Sequence, residues 1–308
     1  MLPGPEHQTA LKSDMTDRVP PSVVIGIPTF NRVGSLAKAI ESALAQDYRS
    51  TEVIVCDNAS SDGTQELCER YAAVDPRVTY FRHCTNVGAT RNFVQVLKLA
   101  KSEFFMWLAD DDWLDPTYVR LCAEALINRL DVVLVGGTAK YYQQGMLKSI
   151  GKRTNCLADR PERRVFDYYR QVEENGIFYG VMRRDRAFQI EMVNCLGGDW
   201  LFLAAMAYQG KILTIETTSV HRELGGSSEN LKKMAAVLAV PSWQARMPLT
   251  FSLALNAAKD VAGMNKVYAA ASVGRRLVFS LLIYCWILLI KPAQELKRRI
   301  RAGAKPVA

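Results

Sequence analysis

FFMWLADDDWLDP, residues 104–116, joins an apolar run to three consecutive carboxylates. The run FFMWLA (104–109) is short, aromatic-rich and bounded by turn residues, which predicts a buried strand. Similar runs precede it at VVIGI (23–27), EVIVC (52–56) and VTYF (78–81), with helical patterns between them near 35–45, 63–73 and 89–100. Asp62 or Thr64 is placed to cap the second helix, because a short oxygen-bearing side chain satisfies open N–H groups. Strands alternating with helices over short links predict an α/β fold, a mostly parallel sheet flanked by helices. Ligands of such sheets bind beyond the carboxyl ends of the strands. Asp57 falls there, and so do Asp110, Asp111 and Asp112.

Beyond the triplet, a helix over 117–129 leads into a strand from 131. From about 138 to 176 the periodicity weakens and charge rises, which predicts a long excursion or flap. FYGVMRR (178–184) reads as a return strand, followed by a more helical C-terminal part: DWLFLAAMAYQG, a strand at KILTIE, a loop carrying His221, and helices through the 230s to 260s.

The chain has 308 residues, 49% of them hydrophobic and 23% charged, the composition of a folded protein. Its net charge of +8 is local. From Arg275 onward, eight Lys or Arg residues face one acidic residue, Glu295, so the rest of the chain carries almost no excess charge. That argues against nucleic acid as a partner. The same tail holds LVFSLLIYCWILLI (277–290), 14 residues, short of the roughly 20 that span a bilayer. Flanked by basic residues, it reads as a helix at an anionic membrane surface through 275–308, or as a buried helix in a homo-oligomer contact. The opening 21 residues read as a flexible leader without a secretory signal. Seven scattered cysteines without a CxxC pair fit a reducing cytoplasm.

Three adjacent carboxylates raise one another's pKa unless a cation compensates. A hard divalent ion takes such oxygen ligands and carries substrate phosphates in its open positions. A solvent-facing turn with one helix cap is the plainer reading of DDDWLDP, but it leaves two carboxylates unexplained. IGIPTFNR (25–32) sets Pro28, Thr29, Asn31 and Arg32 at the end of the first strand, and NVGATRN (86–92) sets Arg91 near the third.

Taken in order, VVIGIPTFNR, VIVCDNASSDGT, NVGATRN and FFMWLADDDWLDP resemble the family 2 glycosyltransferases of the GT-A fold, closely over about 22–137 and more loosely through Asp199 and His221. The resemblance implies a nucleotide-diphosphate-sugar donor, UDP- or dTDP-type favoured, and a saccharide or lipid-linked saccharide acceptor. It further implies an inverting, Mn²⁺- or Mg²⁺-dependent transfer. Asp57 would accept a hydrogen bond from the base, Pro28 and Thr29 would line the nucleotide pocket, and Asn31, Arg32, Arg91, Asp110 and Asp111 would complete the donor site. Asp112 would ligate the metal, with His221 as a further metal ligand or phosphate contact. Asp199, in GGDWLF, would be the general base. Gly225, Gly226 and Ser227 would form a closing loop. The implied organisation is a leader (1–21), a nucleotide-sugar-binding part (22–137), an acceptor and catalytic part (138–240) and a helical C-terminal region (241–308). The implied location is cytoplasmic, peripheral to the membrane.

Two rival readings remain. A nicotinamide dehydrogenase would need GxGxxG where this chain has PTFNR. A noncatalytic nucleotide-sugar-binding or scaffold protein would lack the base or the carboxylate triplet, and both are present.

Overall fold

The computed structural model describes residues 20–225, 238 and 247–292. Most of the leader, Gly226 and Ser227, the helices expected through the 230s and the basic segment from 293 onward lie outside the described residues.

β1 (Val23–Thr29), β2 (Thr51–Asp57), β3 (Val78–Arg82) and β4 (Phe104–Trp107) alternate with α1 (Val33–Leu44), α2 (Thr64–Val74) and α3 (Ala89–Leu99). The four strands are parallel, in the spatial order β3-β2-β1-β4. Helices cover both faces, so β1 is buried along its whole length and its sequence is continuously apolar. Pro28 is tolerated there because the β1–β4 ladder ends at Gly26 and Trp107. A Cβ on Gly26 would lie 2.8 Å from Val96 of α3 and 2.9 Å from Phe105, so glycine lets α3 pack hard against β1 and β4.

The second half adds β5 (Trp113–Leu114), α4 (Tyr118–Asn128), β6 (Val132–Gln143), β7 (Met146–Ile150), α5 (Pro161–Gln171), β8 (Val181–Arg183), α6 (Arg184–Phe188), α7 (Gly198–Gln209) and β9 (Lys211–Glu223). The same sheet continues as β4-β8-β6-β9-β5, with β7 paired to β6. Four of its pairings are antiparallel: β4–β8, β6–β8, β6–β7 and β5–β9. The sheet is therefore parallel on its N-terminal side and mixed beyond β4.

Two stretches differ from the sequence expectation. The segment from 138 to 176 carries a strand hairpin and a helix, joined by an irregular stretch over 151–160. β6 runs unbroken across 138, turns at Gln144 and Gly145 with positive φ at both, and returns as β7, the two-residue hairpin geometry that matches strand twist. α5 follows, and its Arg164 is buried, donating to the carbonyls of Ala207 and Tyr208 near the end of α7. His221 lies within β9 rather than in a loop.

Trp107 at the end of β4 ties the two halves together. Its ring stacks on Phe178 at 4.9 Å and meets Phe105 and Phe202 edge-on, while its indole N–H donates to the Phe93 carbonyl. This anchors the chain immediately before the carboxylate triplet.

The C-terminal part is helical: α8 (Leu249–Lys259), then α9 (Val273–Cys285), which continues in wider π turns over Trp286–Ile290. α9 starts four residues earlier than the apolar run suggests, because Ser272 caps it by accepting the Arg275 N–H. The span Val273–Ile290 is 18 residues with a mean hydropathy of 1.9, long and apolar enough by those measures to cross a membrane.

Candidate active site

The carboxyl ends of β1 and β2 lie side by side, with Thr29 opposite Asp57. Asp57 is fully buried. One of its oxygens accepts from the Ser60 N–H (2.9 Å) and hydroxyl (2.5 Å), the other from the Tyr80 hydroxyl (2.9 Å), with Arg82 Nε 3.4 Å away. These donors account for a carboxylate's roughly four acceptor positions.

Asn31 adopts φ +53, a left-handed conformation asparagine tolerates. It donates its N–H to Ser60 Oγ and accepts from the Ser61 N–H, so the loops after β1 and β2 are laced together. Asp62 accepts from Val33 at the start of α1 and from the Thr64 N–H and hydroxyl at the start of α2, capping both. Arg91 is exposed in the first turn of α3.

The triplet folds tightly, with the Asp112 N–H donating to the Ala109 carbonyl. Burial raises the Asp110 pKa to about 7, reinforced by neighbouring Asp111 and opposed by the Thr29 hydroxyl and Arg32. Arg32 approaches Asp111 at 3.9 Å. Asp112 is only 1% exposed. Burial lifts its pKa to about 6, against the counter-pull of Arg222. Arg222 Nε donates to one Asp112 oxygen and the Glu223 N–H to the other, each at 3.1 Å. The Arg222 guanidinium lies 4.6 Å from the Tyr179 ring centre and 5.5 Å from that of Tyr141.

His221 is held on the neighbouring strand pair, where it sits opposite Trp113 and stacks on its ring at 5.1 Å. Its Nε2 is 2.8 Å from Asp115 and its Nδ1 3.1 Å from the Tyr142 hydroxyl. Both ring nitrogens are thus engaged. Among the described residues, no three His, Cys, Asp or Glu side chains converge as a metal cage. The triplet suits a different arrangement, in which one or two carboxylates hold a hard cation and phosphates supply the other ligands. Asp112 retains lone pairs beyond those used by Arg222 and Glu223, and the raised pKa values of Asp110 and Asp112 mark negative charge that such a cation would relieve.

Asp199 lies in the first turn of α7, after Gly197. Asn175 Nδ2 donates to it at 2.6 Å, and the Tyr168 hydroxyl donates to Asn175 Oδ1, which fixes the amide's orientation. Burial raises the Asp199 pKa. Burial raises the pKa of Tyr179, and the charges of Arg222, Asp112, Asp111 and Asp199 act on the same hydroxyl. Asn175, Tyr179 and Arg222 went unread in the sequence.

The glycosyl transferase family 2 model matches residues 24–196, just over half the chain. The chain belongs to this family. It is 37% identical over 92 residues to the putative colanic acid biosynthesis glycosyl transferase WcaA of Escherichia coli K12, covering 30% of this chain and 33% of that protein. It is 38% identical over 93 residues to the GalNAc(5)-diNAcBac-PP-undecaprenol beta-1,3-glucosyltransferase of Campylobacter jejuni, covering 30% of each. The matched stretch thus spans about a third of these relatives. The crystal structure of Staphylococcus aureus TarS 1-349 superposes with a TM-score of 0.54 at 17% identity, covering 87% of this chain and 81% of that one. A mannosyltransferase from Pyrobaculum calidifontis, in complex with GDP-Man and Mn²⁺, gives 0.52 at 15% identity, covering 97% and 87%. At these identities the likeness speaks for the fold alone, an α/β sheet with helices on both sides and a helical C-terminal region.

Proposed function

We propose that this chain transfers a sugar from a nucleotide-diphosphate donor to a hydroxyl of a saccharide or lipid-linked saccharide, with inversion at the anomeric carbon. The observation that carries the reading is Asp199, held by Asn175 at 2.6 Å with its pKa raised by burial and acted on by Arg222, the same residue that bonds Asp112 of the triplet. A base so placed takes the acceptor's proton as the hydroxyl attacks, and its raised pKa brings it nearer the working pH. Asp57, Pro28, Thr29 and Asn31 form the floor on which the nucleotide rests. Arg32, near Asp111, and the exposed Arg91 are the cations free to meet the diphosphate, while Arg222 holds Asp112.

Mn²⁺ or Mg²⁺, held by Asp112 with Asp110 and Asp111 beside it, would neutralise charge on the departing diphosphate. For His221 to join the ligands it would give up Asp115 or Tyr142; in the arrangement described it braces β5 against β9. The Campylobacter relative's name includes a PP-undecaprenol carrier, which supports a lipid-linked acceptor here.

The test is thermal stability against a panel of nucleotide sugars with and without Mn²⁺ or Mg²⁺, since a ligand that binds only the folded chain raises its melting temperature, followed by a transfer assay with the preferred donor. Asp199→Asn should keep the donor-induced shift and lose about 10²- to 10⁴-fold in transfer rate. Binding with no transfer or donor hydrolysis by the unmodified chain would support a noncatalytic nucleotide-sugar-binding protein instead. No response to any nucleotide sugar would refute both.

A further inference from the structure

From Leu277 on, α9 and its π-helical continuation carry no charged residue, yet only one side packs on the protein. Phe279, Ile283 and Ile287 are buried, and Phe166 of α5 meets Phe279 and Trp286. At about 100° per residue these buried positions occupy one arc of the helix, and Val273, Leu277, Val278, Leu281, Leu282 and Leu289 spread over roughly the opposite 180°. Each of those six is more than half exposed. A contiguous aliphatic surface of this kind marks an interaction site.

We propose that this outward face lies along an anionic bilayer surface, so that the acceptor reaches Asp199 from the membrane. Three observations favour a bilayer and a lying orientation. The face is aliphatic without a charged residue between Leu277 and Ile290. The chain that follows is strongly basic, with Lys297, Arg298, Arg299, Arg301 and Lys305 against Glu295, and such clusters are drawn to anionic headgroups. Finally, the helix is fixed by its inner side to α5 and α8, whereas a spanning helix exposes its whole circumference to lipid or to other spanning helices.

The placement also links the surface to the site. At the end of the helix, Lys291 Nζ donates to the carbonyls of Tyr169 and Val172 and sits 4.4 Å from the Trp200 ring centre. Trp200 follows Asp199, and Asn175, which holds Asp199, lies three residues beyond Val172. The membrane-facing helix therefore ends beside the proposed base. The acceptor part of this inference rests on the proposed transfer function; the docking part does not.

The experiment is co-flotation of the full chain with phosphatidylcholine vesicles, with and without phosphatidylglycerol, comparing the unmodified protein with a Leu281→Gln, Leu282→Gln double variant. Both leucines are exposed, so the variant should keep the donor-induced melting shift, which serves as its folding control. Expected is flotation with the anionic vesicles, reduced by salt and by omitting phosphatidylglycerol. The bound-to-free ratio should fall about fivefold or more for each leucine replaced. A chain that stays unbound with anionic vesicles, or a variant that floats as well as the parent, overturns docking. So does a dimer that the variant dissolves without any vesicle binding, since a second copy would then be the occupant. For the acceptor, the parent should favour a saccharide on an alkyl tail embedded in the vesicles over the same saccharide free in solution, and the variant should lose that preference alone. Docking with equal transfer to both overturns the membrane-borne acceptor. Flotation without transfer to either, or hydrolysis of donor, would sink the transferase reading while leaving docking established.

Discussion

Asp110→Asn should make the ligand-free protein more stable at neutral pH while impairing donor binding. In the fold, burial and the adjacent Asp111 raise the Asp110 pKa to about 7, whereas in the unfolded chain it returns to about 3.9. Between those values the folded state holds a proton that the unfolded state has released. Stability attributable to this group is therefore highest below about pH 4 and declines as the pH rises towards 7. A shift of about three units, at about 1.36 kcal/mol each, sets a ceiling near 4 kcal/mol. Because Asp110 retains some contact with solvent, about 2 kcal/mol is the working expectation. Asparagine keeps a side-chain oxygen and nearly the same shape but carries no charge. Urea unfolding of both proteins, with chelator and without nucleotide, would be followed from about pH 5 to about pH 8. The stability difference should grow in the variant's favour up to about pH 7 and then level. A difference that stays flat, or one that favours the parent at high pH, would refute the view that burial and the neighbouring Asp111 destabilise the Asp110 carboxylate.

Two other substitutions probe how the site is held. Asn175→Ala removes the 2.6 Å hydrogen bond to Asp199 without touching the nucleotide pocket; kcat should fall and the acidic limb of the pH–rate profile should move to higher pH, because that bond lowers the Asp199 pKa, with donor-induced stabilisation unchanged in the melting assay. Arg222→Met leaves Asp112 buried without its cation and should cost about 3–5 kcal/mol in urea unfolding, whereas Asp112→Asn combined with Arg222→Met should recover most of that loss.

The fold was legible wherever a strand is buried on both faces. VVIGI, EVIVC and FFMWLA are continuous apolar runs because helices cover both sides of β1, β2 and β4. It was illegible where that pressure lapses. β7 is mostly exposed and shows no alternation, and α5 buries an arginine that sequence periodicity counts as a surface residue. α9 was read four residues short because Arg275 and Arg276 end the apolar run without ending the helix. The edge rule located Asp57 and the triplet, since both follow strands directly. Arg222 and Asn175 escaped because each gains its meaning from a partner far along the chain, at Asp112 and Asp199 respectively.

That long-range dependence explains why β9 is so long. It pairs with β6 from Lys211 to Glu223, and near its end it also pairs on its other edge with β5, where Trp113 meets His221 and Leu114 meets Val220. This register brings Arg222 onto Asp112 and the Glu223 N–H onto the carboxylate's other oxygen. A slip of one residue would turn Arg222 to the opposite face of the sheet and leave a buried carboxylate without a cation, a change costing several kcal/mol. Stacking of His221 on Trp113, with both imidazole nitrogens bonded, resists that slip. His221 thus governs the electrostatics of the triplet through strand register, with Arg222 as the residue that delivers the charge.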